Sequence, residues 1–375
     1  SSSRYLEPRC PSPSAQHYLL NAAISMSALY GSPGSLPANV LFFMFVMLIS
    51  GALNTLLMKF MVVQAVPTGP GATADIFDHP YFQSMLMMIG EFLCLIAYWV
   101  SRDAAVNTQN VPKHIFAVAC SFDWIATTLV NMAYVLIAAS VVQMTRGAIV
   151  IFTCLFSVMF LGHKQHRYHL AGVSLVFIGI TLVSLSSLLS VPASSSGSSL
   201  QAKLLGIGLC VAAQVFQATM LVYEENILSK YTVPPLMVVG MEGTFGMIFG
   251  VILLAILNFF SIEKPAVAIY QLSHSTPLLC AAVGSIFSIA FFNFSGVTVT
   301  KHASATARST IDVSRTVLIW AVELAMGWNT FSSLQLLGFI VLALGTMVYN
   351  RLIVIDSWEP TPEEVCIAKM HPVQP

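Results

Sequence analysis

The sequence predicts an all-helical integral membrane protein in which ten transmembrane helices form two five-helix halves inserted with opposite orientation. Three observations lead there. Of 375 residues, 57% are hydrophobic and only 9% charged, against about 25% charged in soluble domains. The apolar residues fall in stretches of about 20, enough for a helix to cross about 30 Å of hydrocarbon, and they lack the alternation of lipid-facing strands. Motifs of the first half also return in the second at a nearly constant offset.

Taken in order, residues 1–37 are a Ser- and Pro-rich tail with Arg4 and Arg9, a composition that predicts disorder or a targeting segment. Ten spans follow at 40–66, 81–100, 114–137, 140–161, 168–190, 202–224, 235–260, 277–299, 303–327 and 331–354. Residues 38–190 make the first half, 191–201 a flexible Ser-rich linker, 202–354 the second half and 355–375 a short tail. Ala139-Ser140, Gly162, Leu170-Ala171-Gly172 and Gly179 recur as Ala303-Ser304, Gly327, Leu336-Leu337-Gly338 and Gly345, at offsets of 164 to 166. Because five is odd, duplicated halves would insert upside down relative to one another. Arg102, Lys113, Lys164, Arg167, Lys230 and Arg351 crowd the connections on one side, against Lys203 and Lys264 on the other, which places both termini in the cytosol.

Several function classes drop out. Net charge is zero, so nothing points to nucleic acid. Seven cysteines are scattered, mostly within apolar runs and without a Cys-x-x-Cys pair, and are expected to be small buried hydrophobes. The run from His163 to His169 reads as a basic cytosolic connection and not as a metal site. There is no His-Glu-x-x-His helix, Gly-x-Ser-x-Gly elbow or phosphate-cradling glycine loop, so neither an enzyme, a metal nor a cofactor is expected.

The informative residues are charges inside spans. Lys59, Glu91, Asp123, Arg146, Glu242, Arg308, Asp312, Arg315 and Glu323 all fall there, where a central charge costs roughly 2.5–3.5 kcal/mol. They are expected to face one another or a water-filled cavity. Lys301, Arg308, Asp312, Arg315 and Glu323 lie roughly on one side of a helix. Asp312 can pair with Arg308 or with Arg315, and two arginines beside one aspartate leave a positive surplus that argues for an anionic ligand. Arg146 is the counterpart in span four, where Ser140 and Gln143 match a capping box; Ser304 would cap span nine in the same way. Glu91 and Glu242 are candidates for proton-carrying carboxylates or counter-ions of Arg146 or Arg315, with Asp123 beside them. Asn54 and Asn293 are expected to bond between helices or to touch substrate, and Glu224-Glu225, at the cytosolic end of span six, to be solvated, the alternative being that they cap or gate. The candidate substrate contacts are therefore Arg146, Arg308, Asp312, Arg315, Lys301, Gln143, Asn54 and Asn293.

The runs Ser50-Gly51-Ala52-Leu53-Asn54-Thr55, Asp78-His79-Pro80, Gly90-Glu91-Phe92, Gln143-Met144-Thr145-Arg146-Gly147-Ala148 and Phe160-Leu161-Gly162 carry a family likeness. So do Glu224-Glu225, Glu242-Gly243, Ala290 to Phe294, and Val299-Thr300-Lys301 through Arg308, Asp312, Arg315-Thr316 and Gly327-Trp328. Over about 40–354 the chain resembles the F branch of solute carrier family 35. The resemblance implies a drug/metabolite transporter fold with a central cavity from helices one to four and six to nine, and peripheral helices five and ten. It implies carriage of a small-molecule metabolite, expected here to be anionic, across a lysosomal, late endosomal or Golgi membrane; a homodimer, if formed, would use the peripheral helices. The alternative is a receptor or scaffold that keeps the fold without the flux, with its buried charges satisfied by one another.

Overall fold

The computed structural model describes residues 37–71, 73–101, 111–136, 146–163, 166–190, 200–327, 331–350 and 352–353. The helices are α1 (Ala38–Val63), α2 (Pro80–Val100), α3 (His114–Leu136), α4 (Ile149–Leu161), α5 (Arg167–Ser190), α6 (Leu200–Lys230), α7 (Pro235–Phe259), α8 (Pro265–His274), α9 (Thr276–His302), α10 (Ala305–Ala325) and α11 (Ser333–Tyr349). A helix thus overlaps each predicted span, α4 covering only the second part of 140–161, whose residues 140–145 lie outside the described ones. Six of them, α1, α2, α3, α6, α7 and α9, are long and apolar enough to cross a membrane, while α4, α5 and α11 carry shorter apolar segments. With six such helices among the described residues, this is a multi-pass membrane protein.

Two elements went unforeseen. A two-stranded antiparallel hairpin, β1 (Ala65–Pro67) and β2 (Ala74–Ile76), follows α1, and α8 follows α7. They hold each other: fully buried Gln271 of α8 donates Nε2 to the carbonyl of Val66 at 3.0 Å. Beside them, the carboxylate of Glu263 accepts from the backbone amides of Tyr81 at 3.1 Å and Phe82 at 2.7 Å. It thereby caps α2, whose own N-cap residue His79 makes no side-chain cap.

The principal helix pairings are α5 with α11, α2 with α7, α1 with α9 and α3 with α6, followed by α2 with α9, α3 with α7, α4 with α6, α1 with α10 and α4 with α10. Small residues allow the closest of these. A Cβ added at Gly179 would meet the backbone of Leu342, and one at Gly338 would meet Val183, so α5 and α11 are clamped backbone to backbone. Between α9 and α10 the chain breaks at Ser304, extended at φ −170°, whose side chain accepts from Ala307 N at 3.0 Å; the cap forms as the sequence predicts. The corresponding Ser140 and Gln143 lie outside the described residues. Cys94, Cys120 and Cys210 are buried, Cys154 is half-buried and Cys280 is exposed, all five as free thiols.

Candidate substrate and coupling site

Arg308 sits one turn into α10, buried, with its Nε where a Cβ on Gly296 of α9 would come within 2.7 Å. Only glycine leaves room for the guanidinium to cross that helix. Its partner is Glu224 of α6, which accepts from Nη1 and is itself fully buried. Helical spacing offers Asp312 to Arg308 or to Arg315, and the structure leaves it to Arg315. The expectation that Glu224-Glu225 are solvated fails, because α6 runs 31 residues, on to Lys230, so the two acids lie inside the helix and not at its end.

Glu224 opens a larger acidic group. Its carboxyl lies within hydrogen-bonding range of Glu242 on α7, and each of the two glutamates has a buried Oε1 with no donor among the described residues. Two ionised carboxylates are acceptors only, so such a contact becomes a hydrogen bond when one of them holds a proton. Glu91 of α2 accepts from Nδ2 of Asn293 at 2.6 Å and lies within electrostatic reach of Asp123, Glu224 and Arg308. Asp123 of α3, half-buried, has the side-chain amide of Gln217 as a neighbour and feels Glu224, Arg308 and Arg146. Four carboxyls from four helices therefore gather around one guanidinium. The arginine within electrostatic reach of Glu91 and Glu242 is Arg308, where the sequence offered Arg146 or Arg315.

Arg315 stands two turns further along α10, roughly on the same side as Arg308 and about 10 Å away by helix rise. It is 9% exposed. Its Nε lies 3.3 Å from Oδ1 of Asp312, yet that oxygen receives no hydrogen bond, so the pair is an offset ionic contact. The guanidinium carbon stands 4.8 Å from the centroid of the Phe292 ring, and the Cβ position of Gly51 on α1 is 2.9 Å from its Nη1. Among the described residues no acceptor takes a hydrogen bond from this buried cation. Arg146, exposed just before α4, lies within electrostatic reach of both Arg315 and Asp123.

The remaining candidates separate. Asn54 is buried on α1, one turn from Gly51, with Oδ1 unsatisfied. Asn293 is an interhelical partner of Glu91. Lys301 stands exposed at the end of α9 and donates Nζ to the carbonyl of Val233 at 2.9 Å, apart from the other candidates. The structure brings Asp123, Glu91, Glu242 and Arg308 together with the unforeseen Glu224, and sets Arg315 and Asp312 beyond them.

Comparison with known proteins agrees with this architecture. Residues 40–279 match the family model described as CRT-like, chloroquine-resistance transporter-like. Solute carrier family 35 member F6 of Homo sapiens is 36% identical over 331 residues, covering 83% of this chain and 89% of that protein, and the Pongo abelii protein gives the same values. An uncharacterized protein of Schizosaccharomyces pombe, C12G12.12, is 34% identical over 326 residues, covering 82% of this chain and 96% of its own length. A solved chain described as "Crystal structure of protein" superposes with a TM-score of 0.61 at 15% identity over 84% of this chain and 97% of that one, a likeness of fold alone. The chain belongs to the CRT-like family of the drug/metabolite transporter superfamily, alongside the solute carrier family 35 member F6 proteins.

Proposed function

We propose that the chain is a secondary active transporter that moves a small anionic metabolite across an organelle membrane by alternating access, with both termini in the cytosol. The observation that carries this is Arg315, a buried cation that meets Asp312 only in an offset ionic contact and makes no hydrogen bond among the described residues. A buried charge without hydrogen-bond partners is costly, and an anionic group of the substrate would relieve it, with Arg146 as second contact and Asn54 nearby. The sequence argument for an anion, a surplus of arginine over Asp312, no longer holds for Arg308, which belongs to Glu224. Arg308 and the four carboxyls form a separate coupling group, in which Glu224 and Glu242 would share a proton.

The repeat is supported by the pairings themselves. Exchanging α1 with α6, α2 with α7, α3 with α9, α4 with α10 and α5 with α11 turns α1–α9 into α6–α3, α2–α9 into α7–α3 and α1–α10 into α6–α4. It leaves α2–α7, α4–α10 and α5–α11 unchanged. The equivalent helices α4 and α10 are followed by Gly162 and Gly327 at φ 65° and 70°. Two halves that exchange in this way suit rocking about a midplane site.

A receptor or scaffold would have its interior charges closed off by one another. The buried, unsatisfied oxygens of Asn54 and Glu242 speak against it. The test is a thermal-shift screen of purified protein against anionic and cationic metabolites, followed by uptake of the responders into proteoliposomes with and without a pH gradient. Uptake of an anion that is lost in Arg315→Gln and altered by the gradient is expected. Uptake of cations alone would sink the substrate assignment, and absence of all flux would sink the transporter reading.

A further inference from the structure

Two polar clasps hold the opposite ends of α10, and we propose that they are the two gates of the transport cycle, an inference that rests on the transporter reading above. At the C-terminal end, Lys59 of α1 donates Nζ to Oε1 of Glu323 at 2.6 Å. At the N-terminal end, the backbone amide of Ala305 donates to Oε2 of Glu225 on α6 at 3.0 Å, and the other oxygen of Glu225 lies 3.6 Å from Nε2 of His163. Residues 305 and 323 are 18 steps apart in one helix, about 27 Å of rise. The clasps therefore stand near opposite faces of a bilayer, with Arg308 and Arg315 between them.

The clasps occupy equivalent places in the two halves. Lys59 lies four residues before the end of α1 at Val63, and Glu225 five before the end of α6 at Lys230. Glu323 lies two residues before the end of α10 at Ala325, and His163 two after the end of α4 at Leu161. Each clasp joins the end of one half's first helix to the end of the other half's fourth. A rocking motion that opens one such seam closes the other.

Their burial suits a contact that must break. The side chains of Lys59 and His163 are 39% and 40% exposed, while their partners Glu323 and Glu225 are 17% and 9% exposed. One member of each pair is already hydrated, and His163 carries a charge only when protonated, so separation does not strand two dry charges. The Arg308–Glu224 pair, 6% and 0% exposed, lacks that property and stays outside the gating assignment.

Spin-label distances on the full chain in lipid nanodiscs test the clasps without any solute. Labels at Val63→Cys with Met326→Cys report one face, and at Phe160→Cys with Lys230→Cys the other. Val63, Met326 and Phe160 are 57%, 54% and 69% exposed, and Lys230 is exposed. The background replaces exposed Cys280 and the tail residues Cys10 and Cys366. Lys59→Ala is expected to shift the 63–326 distribution to longer distance and not the 160–230 one. Glu225→Ala is expected to do the reverse. The charge swap Lys59→Glu with Glu323→Lys should restore the wild-type distribution, which separates a lost clasp from a damaged fold. Unmoved distances in well-folded variants, or both faces widening together, would overturn the assignment. Because the uptake assay tests transport and the distances test the clasps, the two readings fail separately.

Discussion

Arg308 on α10 is paired with Glu224 on α6, and not with Asp312 one turn along its own helix. The pair joins two helices of the second half, α6 and α10, and is dry, so its removal from either side strands a charge. Arg308→Ala is expected to destabilise the protein by roughly 3–5 kcal/mol, and Glu224→Ala comparably. The double variant should lose less than the sum of the two, because each single change counts the orphaned partner. Thermal unfolding in detergent checks this; strict additivity would mean that the pair does not form.

Gly51 is the place where Arg315 crosses α1. A Cβ there would lie 2.7 Å from Cδ2 of Phe292 and 2.9 Å from Nη1 of Arg315, tighter than real contacts, and both groups are held by α9 and α10. Gly51→Ala is therefore expected to cost about 1–3 kcal/mol and to weaken any ligand-induced shift that depends on Arg315. The control is Gly208 of α6, where a Cβ meets nothing within 4 Å. There alanine should stabilise the helix by up to about 1 kcal/mol. Opposite signs at these two glycines are the expected result of melting curves.

Asn293 holds Glu91 through a 2.6 Å hydrogen bond. Asn293→Ala removes the donor and leaves a buried carboxyl oxygen to lose about 1–3 kcal/mol. In a Glu91→Gln background the same substitution should cost less, since the group left behind carries no charge. An equal cost in both backgrounds, read by unfolding, would show that Asn293 acts through packing alone.

The positions of the helices were legible because apolar length is a one-dimensional property, and Gly162 and Gly327, set at a steady offset in sequence, both take a positive φ. Partners across helices were not legible. Arg308, Asp312 and Arg315 are three and four residues apart, so helical spacing alone offered Asp312 to either arginine; what decides is Glu224, 84 residues earlier in sequence. Glu224 itself was discounted because the apolar run of α6 stops at it, although the helix does not. The Phe292–Asn293 dipeptide shows the same limit. Adjacent residues on α9 serve different groups, Arg315 and Glu91, and no pattern along the chain separates them.

Glu263 was equally hidden, since beside Lys264 it reads as a solvated loop acid, yet it is 5% exposed and accepts the Tyr81 and Phe82 amides at the start of α2. Replacing it with alanine removes a cap and should cost about 0.5–2 kcal/mol, whereas Glu263→Gln keeps an acceptor oxygen and should cost less. The pH dependence has a definite sign. Burial, helped by the charge of Asp78, raises this carboxyl above its ordinary 4.5 against the pull of the two amides. The folded protein therefore holds the proton more tightly than the unfolded chain. That contribution to stability is complete below 4.5 and is lost as pH rises through the raised folded value. His79, lowered by burial from 6.5, works oppositely, its contribution being complete above 6.5 and lost as pH falls, but it is common to both proteins. The melting temperature of the wild type minus that of Glu263→Gln should therefore increase as pH falls and level off below 4.5. A difference that shrinks as pH falls would mean that the Glu263 cap works through its charge and is lost on protonation.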